Sequence, residues 1–178
     1  MPELAEKYPS TEMRERFRAQ AWRVWAVALG VVLIWIVFII APPFLIKNGF
    51  ENLATQIYSF FGSICHQKPE RSFHVLGYQF AVCSRCFGVY FGLLTGIAIS
   101  PLWRKVDDVE PLPRIWLFLA LIPIGVDWAL GVFGFWENTF ASRFITGLIL
   151  GFACAVFVIP ALVEIVRNLT ARRLAVTG

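Results

Sequence analysis

Residues 22–46 read WRVWAVALGVVLIWIVFIIAPPFLI. No charge follows Arg23 in this stretch, and no regular polar face interrupts the apolar run. In a helix, about 20 such residues cover the ~30 Å hydrocarbon layer of a bilayer. The run is too long, and follows too polar a leader, for a secretory signal, and no small-residue cleavage site follows it. It reads as a retained transmembrane helix. Three further apolar runs, 85–103, 115–135 and 143–166, qualify on the same grounds. The whole chain agrees: 58% of its 178 residues are hydrophobic, against roughly 45–50% in soluble domains, and the mean hydropathy is +0.67. Trp22, Trp25, Trp103, Trp116 and Trp136 sit near run ends, as interfacial anchors do. The expected fold class is an all-α membrane protein of four transmembrane helices.

Charge sets the expected orientation. Lys7, Arg14, Arg16, Arg18 and Arg23 precede or open the first helix, Arg104, Lys105 and Arg114 lie between the second and third, and Arg167, Arg172 and Arg173 follow the fourth. These are eleven of the sixteen Lys and Arg residues; Lys47, Lys68, Arg71, Arg85 and Arg143 occupy the other side. The positive-inside rule then predicts both termini in the cytoplasm (N-in/C-in). The formal charge of +4 is thereby topological, not a nucleic-acid footprint. The organisation is a polar cytoplasmic leader at 1–21, a transmembrane domain at 22–166 and a basic cytoplasmic tail at 167–178. The location is a bacterial or archaeal cytoplasmic membrane, with the bilayer as partner; a membrane-complex partner or a homo-oligomer stays open.

The leader "STEMRERFRAQAW" carries a capping signature at Ser10 or Thr11. It is either an amphipathic surface helix or the solvated start of the first span. Pro42 and Pro43 are expected to close that span. In the long outer loop, 47–84, Phe50, Leu53, Ala54, Ile57, Phe60, Phe61 and Ile64 recur at helical spacing and predict a short amphipathic helix. Phe73, Val75, Tyr78, Phe80 and Val82 suggest two short extended pieces around Gly77.

Two spans carry ladders of small residues: Gly88, Gly92 and Gly96, then Gly147, Gly151 and Ala155. Lipid gives helices no hydrophobic reason to associate, so such ladders mark faces where backbones touch. The segments SRCFGVYFG and SRFITGLILG resemble each other, and each has a proline nine residues after its second glycine, Pro101 and Pro160. This is either a weak internal repeat or chance likeness between glycine-rich helices.

Asp127 is the costly residue. A carboxylate inside a span costs about 2.5–3.5 kcal/mol on the insertion scale. Arg143 opens the fourth helix and is its expected partner, across the short third loop. Pro123, four residues before Asp127, breaks the helical hydrogen-bond ladder there. Cys154 reads as a small packing residue.

The remaining three of the four cysteines and both histidines fall within CHQKPERSFHVLGYQFAVCSRC, residues 65–86. Cys83 and Cys86 form a C-x-x-C pair at a helix mouth, where the helix amino end and Arg85 both favour thiolates. With Cys65 and His66 they make a Cys3His set of the zinc-binding kind. His74, Asp127 or water are alternative fourth ligands. Arg71, Arg85 and Arg143 offset the negative charge of a thiolate-bound metal. Asp127, Arg143 and Arg71 are the candidates for a catalytic role. A quinone-linked thiol–disulfide oxidoreductase is the rival reading, although a second cysteine pair is missing. A disulfide staple, or an accessory subunit of a larger complex, is the plainest.

The elements CHQKPERSF, VCSRCFGVYFG, IPIGVD and SRFITGLILG together resemble an uncharacterised family of small prokaryotic multipass membrane proteins, domain of unknown function 2085. The resemblance spans roughly residues 50–155. Its motif falls on Cys65, His66, Gln67, Arg71, Ser72, Cys83, Arg85, Cys86, Gly88, Asp127, Arg143, Thr146 and Gly147. Trp128 stands where the family leads one to expect glycine, and His74 is outside the motif. The resemblance implies a membrane location and a shared site, and no established activity; the charge topology separately predicts that this site lies on the extracytoplasmic face.

Overall fold

A computed structural model describes residues 11–110, 112–135 and 137–177, the last five as helical backbone alone. Lys7, Ser10 and Trp136 therefore lie outside the described residues. The elements are α1 (Thr11–Lys47), α2 (Glu51–Gly62), a 3-10 turn (Pro69–Arg71), β1 (Ser72–Val75), β2 (Tyr78–Cys83), α3 (Ser84–Trp103), α4 (Ile115–Val132) and α5 (Phe140–Thr177). Four of them, α1, α3, α4 and α5, are long and apolar enough to cross a membrane.

α1 has 37 residues, or about 55 Å at ~1.5 Å per residue, which exceeds a hydrocarbon core. The leader from Thr11 onward is the first turns of this helix rather than a separate surface helix. Nor do Pro42 and Pro43 end it: both lie inside the helix, fully buried, and it continues to Lys47. Proline costs a hydrogen bond and steric room, but neighbouring elements can hold the segment in place. α2 packs Ala54, Ile57 and Phe61 inward, and the Trp35 indole meets Phe61 at 5.1 Å and Tyr90 at 5.8 Å between ring centroids, joining α1, α2 and α3.

The extended pieces form an antiparallel hairpin, with Val75 opposite Tyr78 and Ser72 opposite Cys83. Its two-residue turn has Leu76 at φ 56° and Gly77 at φ 84°, the pairing whose twist suits a tight hairpin. The fold is thus helical with one small sheet. Phe73 and Phe80 press the hairpin onto Phe87, with centroid distances of 5.9 and 5.3 Å. Phe144 of α5 completes the aromatic cluster.

α3 and α5 lie side by side and run parallel. A methyl group on Gly88 would strike the Phe144 carbonyl, and one on Gly147 would strike the Arg85 carbonyl. The next step repeats the exchange, Gly92 with Leu148 and Gly151 with Val89. Each ladder therefore seats the other's backbone in a two-fold-like arrangement, the spatial counterpart of the SRCFGVYFG and SRFITGLILG likeness. Backbones this close also allow Cα–H···O contacts.

At the far end, Gln20 donates to the Thr170 hydroxyl at 2.7 Å, and Trp25 Nε1 donates to the Ile97 carbonyl at 2.8 Å. α1 therefore runs antiparallel to α3 and α5. The described ends of α1 and α5 share one end of the bundle, and the hairpin caps the other. Val27, Val31, Ile34 and Phe38 form an exposed stripe along α1, 49–65% accessible. Such a stripe suits contact with lipid rather than water.

Candidate functional site

The hairpin end gathers three chain segments. Cys65 closes the end of α2, its amide donating to the Phe61 carbonyl at 2.9 Å. The chain then reverses through Gln67, which sits in the left-handed region at φ 47°. The Gln67 side chain donates to the Tyr58 carbonyl at 2.8 Å and the Ala81 carbonyl at 2.7 Å. It is a strut between α2 and β2, and it holds Cys65 against the strand. β2 runs straight into α3, with Cys83 as the residue before the first helical turn and Cys86 inside that turn.

The outcome is convergence of sulfur. The Sγ atoms of Cys65, Cys83 and Cys86 all lie within 4.8 Å of one another, and all three are free thiols. The Cys83 amide donates to Cys65 Sγ at 3.2 Å. Hydrogen bonds from the Cys83 and then the Cys86 thiol hold Cys65 well below the ordinary thiol range, outweighing the opposing effect of burial. Tetrahedral zinc bonded to sulfur at ~2.3 Å separates its ligand sulfurs by about 3.8 Å. The trio is compatible with that spacing after small side-chain adjustment.

The other sequence candidates are placed elsewhere. His66 is exposed and its ring lies outside the trio. His74 is exposed on β1, opposite Gln79. Asp127 is buried at 8% accessibility, but its carboxylate pairs with Arg85 rather than with the expected Arg143. Asn138 also donates to it, at 2.9 Å to Oδ2 and 2.6 Å to its backbone carbonyl. Sequence reasoning missed Asn138; its signal was an amide side chain in the short loop after the span that holds Asp127. Arg143 has no ion-pair partner among the described residues, although it feels the charges of Arg71, Arg85 and Asp127.

The expected Asp127–Arg143 pair is therefore replaced by Asp127–Arg85. Arg85 and Cys86 are neighbours in sequence and sit about 100° apart around α3. Cys86 packs against the buried cluster that includes Phe61 and Cys65. Arg85 turns the other way, into an open cleft of about 770 Å³ lined by Arg71, Arg143, Asn138 and Trp128. No cysteine lines that cleft. The thiol trio and the guanidinium cleft stand side by side.

Four apolar helices, a clamped hairpin and buried polar groups at one end define a small multispan membrane protein with a thiol-rich site. Comparison with known proteins makes this specific. Residues 65–157 match the family model described as predicted membrane protein (DUF2085), and the chain belongs to that family. An uncharacterised protein of Methanocaldococcus jannaschii is 36% identical over 145 residues, covering 79% of this chain and 92% of its own length. An uncharacterised protein of Methanothermobacter thermautotrophicus is 36% identical over 96 residues, or 54% of this chain and 85% of its own. No solved structure matches.

Proposed function

We propose that the protein is a membrane metalloprotein whose Cys65, Cys83 and Cys86 thiolates hold one metal ion, zinc by ligand chemistry. The observation that carries this reading is the mutual 4.8 Å approach of three sulfurs contributed by a helix end, a strand end and a helix start. A disulfide needs two sulfurs, whereas a soft-ligand metal site uses three or four. His66, adjacent to Cys65, supplies the fourth ligand if the exposed ring swings in; otherwise water does. A four-protein-ligand site is structural, and a site that keeps a water is able to activate it. The basic excess at the opposite end supports placing the trio on the extracytoplasmic face of the membrane, with both termini inside.

Metal analysis of gently purified protein, beside a thiol count, tests the reading. One zinc per chain is expected, falling to a small fraction in Cys86→Ser and Cys65→Ser. His66→Ala separates the two fourth-ligand cases: it weakens retention against a chelator only if the imidazole binds. A metal-free protein with an intact Cys83–Cys86 disulfide would overturn the proposal in favour of thiol–disulfide exchange, for which quinone is the natural electron acceptor.

A further inference from the structure

We propose that the cleft beside the thiol trio binds a phosphate-type oxyanion, held by Arg71, Arg85 and Arg143. The inference goes beyond the metal reading and does not require it. Three guanidiniums from separate elements, the 3-10 turn, the start of α3 and the start of α5, line one open cavity of about 770 Å³. That is room for a lipid headgroup or a free phosphate.

The charges are not spent on each other. Arg143 has no carboxylate partner among the described residues, and the contact of Arg71 with Glu70 is 4.0 Å between side chains 50% and 66% exposed. Such a pair contributes little. Glu70 and Glu137 also line the cleft, but both are exposed to water, which screens them. Arg85 is the built part. Asp127 and, through it, Asn138 fix one end of its guanidinium. Its Nε is buried and has no hydrogen-bond partner among the described residues. Buried donors are ordinarily satisfied, so the hydrogen bonding of this anchored guanidinium, on a residue that lines the cleft with two further arginines, is incomplete among the described residues. Planar guanidinium forks match phosphate oxygens in pairs. Trp128 and Val132, 58% and 59% exposed, line the same cleft and join it to the apolar surface of α4. An anionic headgroup seated on the arginines can therefore lay its chains along that helix.

The test uses the full chain in detergent and in phosphatidylcholine nanodiscs. Thermal stabilisation and equilibrium binding are read with inorganic phosphate in the first case and with phosphatidic acid added to the discs in the second. Wild type is expected to respond saturably, with affinity falling at least roughly tenfold in Arg71→Gln and in Arg143→Gln, the scale of one lost charged hydrogen bond. Arg143→Lys is expected to fall between, because it keeps the charge and loses the fork. Arg114→Gln, at the opposite end of the bundle, should change nothing. A response to phosphate alone assigns the site to a free anion, and one to phosphatidic acid alone assigns it to lipid. No saturable response from wild type to either, or a response undiminished in both Arg71→Gln and Arg143→Gln, overturns the proposal. Arg71 lies on an exposed turn, so its variant keeps the test valid even if Arg143→Gln misfolds. Metal content measured alongside should stay at the wild-type level, which separates failure of this site from failure of the thiol site.

Discussion

Asp127 gives up most of its contact with water and, in return, fixes Arg85. Its side chain is 7% exposed and that of Arg85 22%. Removing one member of a buried pair leaves the other charge uncompensated, at ~3–5 kcal/mol for fully buried cases. Since Arg85 keeps some water, Asp127→Asn is expected to cost about 2–4 kcal/mol of stability in detergent. Arg85→Gln with Asp127→Asn should recover part of this, because no bare charge is left. Equal stability of wild type, single and double variants would show that the pair contributes nothing. Sequence alone exposed Asp127 as expensive, since cost depends on one residue and its depth. It misassigned the partner, because Arg85 and Arg143 lie at similar depth and only helix rotation chooses between them. Gln67 is the same kind of case: the motif included it, but nothing in the string tells that its amide bridges Tyr58 and Ala81.

Between elements, the parallel α3–α5 contact holds the site's scaffold. Gly151→Ala would drive a methyl into the Val89 backbone. Backbone cannot yield as a flexible side chain does, so a loss of about 1–3 kcal/mol or more is expected. Gly125 of α4 is the contrast, with nothing among the described residues within 4 Å of an added methyl. There Gly125→Ala should raise stability, by up to ~1 kcal/mol through helix propensity. Thermal unfolding of both variants in one detergent checks the opposed signs. A shared sign would mean that the glycine ladder is not the packing face. The ladder was legible because small residues at four-residue spacing have few other uses in lipid. Its parallel, two-fold-like partner was only hinted at by the repeated Ser-Arg start.

For the whole molecule, the joined ends of α1 and α5 and the capping hairpin impose a simple rule. Reporters fused at the two termini are expected to fall on one side of the membrane, and the basic excess predicts that this side is the cytoplasm. Single cysteines placed at Ser63 and Glu137, in a chain lacking the native four, should label with a membrane-impermeant reagent in intact cells. One placed at Asp107 should label only after lysis. Termini on opposite sides would contradict the bundle; labelling with every side exchanged would reverse the orientation and leave the bundle intact.

Hydropathy is a property of each residue against its solvent, and it adds along the chain. That is why the string by itself determined the membrane class, the four spans, the amphipathic α2 and the small-residue faces. It also marked Cys65, Cys83 and Cys86 as a set, because C-x-x-C at a helix mouth and a distant Cys-His are recognisable from type and spacing. Pairing is a property of two positions and of the rotation between the elements that carry them. Only the tertiary structure could decide that Arg85, not Arg143, meets Asp127, and that His66 stands outside the trio. The same rotation sends Cys86 and Arg85, one residue apart, to different sides of a helix, which makes two adjoining candidate sites of what reads in sequence as one.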